Sequence, residues 1–130
     1  MFVRTERLPP ISPHTRVRVH TPIGSAVVLW RGDPREADGR HLVEWTVDDD
    51  IRWGRNARPA AAAEPGLRQE GGRVSLSGRL RLLDDGAACL QLGHWSVLLD
   101  LTSPVPGGLD GSWVRIDVGS ESVALYPYQT

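Results

Sequence analysis

Hydrophobic and polar residues alternate with period two along nearly the whole chain, and hardly any window carries the i, i+3, i+4 spacing of an amphipathic helix. Because successive strand side chains point to opposite faces, this pattern predicts half-buried strands and an all-β protein. In "TRVRVH", Val17 and Val19 alternate with Arg16, Arg18 and His20, and "PIG" turns the chain into "SAVVLWRG". "RGDPREADGR" is a loop dense in turn residues, and "HLVEWTV" is a third strand with Val43, Trp45 and Val47 on one face. Asp48–Asp50 then turn the chain into "IRWG", a short fourth strand that would close a first small barrel.

"NARPAAAAEPGLRQEGG" reads as a linker of Ala, Pro and Gly, after which the alternation sharpens. In "RVSLSGRLRLL", Val74, Leu76, Leu80 and Leu82 share a face, with Gly78 on the apolar side where a strand can bend or bulge. "DDG" at 84–86 is a hairpin turn, followed by "AACLQLG" and by "HWSVLLDL", which places Trp95, Val97, Leu99 and Leu101 together. "TSPVPGGLDG" is too short and too rich in Pro and Gly for a helix, and "SWVRIDVG" and "SVALYPY" predict a last hairpin around "GSE". The expectation is therefore four strands before the linker and five after it.

A long first strand with a mid-strand glycine, a three-strand meander, a connection and a closing hairpin make residues 73–130 resemble a small OB-fold barrel. Residues 1–59, with an N-terminal arm, four short strands and a loop after the second, resemble an SH3-like or Tudor-type barrel half. Residues 60–72 are the linker between them. One continuous β-sandwich or barrel built from the same strands is the other arrangement that this pattern allows.

Composition changes the picture in a few places. At 130 residues the chain fits one domain or two very small ones that must pack together. All fifteen basic residues are arginine, beside abundant Ala, Gly and Pro, which is the coding bias of a high-GC bacterial genome and so weakens any reading of the arginine count itself. The formal charge of −1 gives the whole molecule no cationic field. A single cysteine, Cys89 in "AACLQL", excludes an intramolecular disulfide and reads as a small buried hydrophobe. The N-terminus has no apolar signal-like core, and no run has the roughly 18 apolar residues that a membrane helix needs, so a cytoplasmic protein without membrane contact is expected.

Motifs for chemistry are missing at the sequence level. His14, His20, His41 and His94 are scattered without zinc-site spacing, and "VDDDI" and "GDPREADGRH" lack the ligand order of a calcium loop. No Ser stands in G-x-S-x-G, Cys89 has no polar neighbours, and the glycine pairs at 71–72 and 107–108 open no helix that could cradle phosphate. The tripeptide "RGD" at 31–33 reads as loop. The expectation is a protein with no enzymatic activity, cofactor or metal.

Two binding readings remain. The first is a protein-binding or adaptor module, of immunity or inhibitor type for example, that meets a partner through a sheet face or edge, with Tyr126 and Tyr128 of the final strand at the contact. The second is a single-stranded nucleic-acid binder in which Trp30, Trp53, Arg52, Arg55 and Arg58, continued by Arg79 and Arg81, stack on bases and pair with phosphates. Against the second, Asp48–Asp50 adjoin these arginines, and five Trp beside one Phe suggest that tryptophan is the large core residue. The stretch 47–66 then reads as an architectural seam.

Overall fold

The computed structural model describes residues 1–9, 14–84 and 87–128. Among these, twelve strands and two short 3-10 turns make up the regular structure, so the all-β expectation holds. In chain order the strands are β1 (Phe2–Arg7), β2 (Arg16–Thr21), β3 (Gly24–Trp30), β4 (Gly39–Val47), β5 (Asp50–Ile51), β6 (Ala57–Pro59), β7 (Gly66–Glu70), β8 (Arg73–Leu82), β9 (Ala88–Leu92), β10 (Trp95–Leu101), β11 (Trp113–Gly119) and β12 (Val123–Pro127). The 3-10 turns are Pro34–Glu36 and Ser120–Ser122. The turn expected at 84–86 lies partly outside the described residues.

Five strands close a barrel at the N-terminal end. β1, β2 and β3 form an antiparallel meander, β4 returns antiparallel to β1, and β12 closes the ring, antiparallel to β4 and parallel to β3. Two expectations are corrected here. The segment 2–7 is not an arm but the first barrel strand, because Val3 and Thr5 alternate into the core between exposed Phe2, Arg4 and Glu6. β12 does not form a hairpin with β11; it crosses back to the first barrel, where Leu125 is completely buried.

The second unit is built around β8. Its first half pairs with β7 and its second half with β9 on the same side, while β11 runs along the other side. β10 follows β9 antiparallel. Residues 50–59 supply its outlying strands: β5 lies parallel to β10, and β6 lies antiparallel to β11. "IRWG" therefore does not close the first barrel, and each unit is completed by a segment from the other part of the chain. Asn56 fixes the turn between β5 and β6. Its side chain accepts from the Arg52 N–H at 2.8 Å and donates to the Asp50 carbonyl at 2.8 Å, and its carbonyl accepts from the Asp117 N–H at 2.9 Å.

The expected linker also carries structure. β7 falls inside it and joins the two units, with Leu67 opposite Gly24 of β3 in parallel and the Gln69 side chain accepting from the Val27 N–H at 2.8 Å. At Gly24 a β-carbon would stand 1.9 Å from the Leu67 carbonyl oxygen, and φ is +139°, so only glycine fits this junction. One continuous hydrophobic core runs through both units. Trp45 of β4 stacks on Trp95 of β10 with ring centroids 4.4 Å apart, an aromatic pair that joins the barrel to the second unit.

Candidate functional site

Two surfaces carry side chains that packing does not explain. The first is the outer face of β1, β4 and β12. Strand register places Phe2 opposite Leu42, the Tyr128 N–H donates to the Leu42 carbonyl, and Tyr126 faces Glu44. Phe2 (63% exposed), Leu42, Tyr126 and Tyr128 thus form one apolar ladder, four of the seven exposed large hydrophobic side chains among the described residues. The ladder borders an open groove of about 910 Å³ whose other wall is the loop from Gly32 to Asp38.

That loop is held firmly. The Arg7 N–H donates to Asp38 Oδ1 at 2.7 Å, and the Thr5 hydroxyl donates to the Ala37 carbonyl. Asp33 caps the 3-10 turn by accepting the Arg35 N–H and also pairs with the Arg35 guanidinium, and these hydrogen bonds hold its carboxyl below the usual carboxylate range. At the groove base, Trp30 Nε1 donates to the Asp33 carbonyl at 3.0 Å, and the His41 ring lies 4.8 Å from the indole. A β-carbon on Gly32 would come within 2.6 Å of the Pro127 side chain, so a larger residue here would have to displace it. Asp33, Glu36 and Asp38 give the rim an acidic character, offset by Arg40, whose guanidinium lies 5.9 Å above the Phe2 ring.

The second surface is the outer face of β6, β11, β8 and β9. Odd-numbered β8 and β11 side chains point outward, which gathers Arg73, Arg79, Arg81, Arg115 and, from β6, Arg58. Asp117 sits among them, only 8% exposed. Burial pushes its carboxyl pKa up, but hydrogen bonds from Ser75 and from Arg115 (3.0 Å), with the charges of Arg115 and Arg58, outweigh burial and hold it below the usual range.

The residues singled out from sequence are distributed unequally between these surfaces. Trp30 is buried at the groove base and presents no free ring face, as expected for a core tryptophan. Trp53 is partly buried against the core beside Ala57, while Arg52 and Arg55 project from the turn before β6. Arg58, Arg79 and Arg81 do come together, joined by Arg115 and Trp113, whose outward register in "SWVRIDVG" is readable from alternation alone. Tyr126 and Tyr128 are exposed; β12 is paired on both sides at Ala124 and Leu125, and from Tyr126 onward its strand pairing is with β4 alone. Phe2 and Leu42 escape a reading of the sequence that expects only an arm over the N-terminal segment. Cys89 is not the fully buried hydrophobe expected: it is partly buried on the outer face, opposite Arg81.

Among the described residues no group of three or more His, Cys, Asp or Glu is placed to hold a metal ion, and no helix is long and apolar enough to cross a membrane. What the fold defines is a class: an all-β protein with one closed five-stranded barrel and additional strands on a shared core. No family model, curated protein or solved structure matches the chain.

Proposed function

We propose that this chain is a non-enzymatic protein-binding module, working in the cytoplasm of a high-GC bacterium, that docks its partner on the β1–β4–β12 face. The observation that carries this reading is the Phe2, Leu42, Tyr126 and Tyr128 ladder beside the 910 Å³ groove. Aromatic side chains are enriched in interface cores, and a contiguous apolar patch rimmed by polar groups is costly to leave in water. The groove's base and rim are already held by hydrogen bonds, so a partner would meet a formed surface. An immunity or inhibitor role, in which the module blocks a partner by covering its working surface, suits this geometry.

The test is capture of partners from the native host by wild-type protein and by a Phe2→Ala/Tyr128→Ala variant. Both substituted side chains are more than half exposed, so the variant should keep its melting temperature and lose the partner. A partner retained undiminished by the variant would sink this reading.

A further inference from the structure

We propose that the outer face of β6, β11, β8 and β9 is a second, independent site, which binds single-stranded nucleic acid. In one cross-strand row Arg58 lies opposite Arg115, and in the next Trp113 lies opposite Arg79, which in turn faces Gln91. Like charges directly opposite on a sheet destabilise it. For Arg58 and Arg115 the offset is Asp117, 3.7 Å from the first and 2.9 Å from the second.

Arg79 and Arg81 have no such offset: neither pairs with a carboxylate among the described residues. What they have instead is positioning. The Arg79 guanidinium lies 5.4 Å above the Trp113 ring, and Arg81 Nε donates to Gln91 Oε1 at 3.1 Å. Both contacts hold a guanidinium in place and neutralise nothing, so the positive charge stays available to phosphate. A guanidinium carried on an indole also offers a planar face on which an unpaired base can stack, which a duplex, with its base faces covered, cannot use.

The net charge of −1 is small, and at about 0.1 M salt exposed charges are screened beyond about 10 Å, so the local arginine cluster governs the encounter there. Of the acid triplet that precedes the cluster in sequence, Asp50 lies opposite Asp100 of β10, outside this face.

The experiment is fluorescence anisotropy of a labelled oligodeoxythymidylate with the full chain at low and moderate salt. We expect binding at low salt that falls steeply as salt rises, with quenching of tryptophan emission. The Arg79→Ala/Arg81→Ala variant should bind about tenfold or more weakly, with a salt slope shallower by roughly 2, one for each arginine that no longer meets a phosphate. Arg18→Ala, on β2, should behave as wild type, and so should Phe2→Ala/Tyr128→Ala, which separates this site from the protein-binding face. Thermal melts of each variant confirm that it is folded. No binding at low salt, or equal binding by the Arg79→Ala/Arg81→Ala variant, overturns the proposal. Inorganic polyphosphate that competes equally per charge without quenching tryptophan also overturns it, since bases would then contribute nothing.

Discussion

A carboxylate that is 8% exposed survives as an anion only where its neighbours supply what water would have given, and Asp117 has such neighbours in Ser75, Arg115 and Arg58. Its folded-state pKa lies below its unfolded value, so the folded chain binds this proton more weakly. The stabilisation is therefore complete above the ordinary carboxylate range near pH 4 and is lost as the pH falls through the lower folded value. Asp117→Asn should be less stable than wild type at neutral pH, with a shallower loss of stability on acidification. Urea midpoints measured from neutral to acid pH check this; parallel curves for the two proteins would show that Asp117 is not the group responsible. At this scale alternation is a good guide where a side chain has one clear side to face, as for Val17, Val19, Val43, Trp95 and Val97, all of them buried. It misplaces Leu82, which is 37% exposed at the end of β8, and Cys89, whose hydrophobic neighbours belong to the opposite face of its strand.

β8 shows how a single residue decides an element's path. Ten residues long, it pairs with β7 over its first half and β9 over its second, and the changeover falls at Gly78. There a β-carbon would stand 2.2 Å from the Gln91 carbonyl oxygen, main chain that cannot swing aside as a side chain could. Gly78→Ala should cost about 2–3 kcal/mol, within the range for overpacked cores, read as a lower urea midpoint with unchanged slope. A loss below about 0.5 kcal/mol would mean that β8 does not approach β9 so closely at this position. The glycine is conspicuous in sequence because it interrupts a strong alternation on its apolar side. β6 and β7 are not legible because "RPAAAAEPG", which runs from one into the other, carries the composition of a linker, and "IRWG" marks a strand near β5 without revealing its partner β10. These strands exist because their neighbours supply hydrogen-bond partners and a core, information that local pattern does not hold.

For the whole molecule the decisive fact is where the barrel and the second unit each obtain their outlying strands. β12, at the C-terminal end, completes the ring of β1 to β4, and residues 50–59 complete the unit of β8 to β11. A reading by consecutive strands cannot see this, since non-consecutive pairing leaves no local trace, and it is why a division at 1–59 and 73–130 separates strands that pair. Cutting there would strip β12 from the first piece and β5 and β6 from the second. It would also part Trp45 from Trp95 and leave fully buried Leu125 and Ile51 without the cores they fill. Exposing such side chains costs on the order of 2–3 kcal/mol each, large against the 5–15 kcal/mol total stability of an ordinary domain. The intact chain should therefore unfold in a single transition, with tryptophan fluorescence and far-ultraviolet circular dichroism giving coincident curves. Residues 1–59 and 73–130, expressed separately, should each lack a cooperative melt. A stable melt from either piece alone, or two separated transitions in the whole chain, would show that the two units do not depend on the strands they exchange.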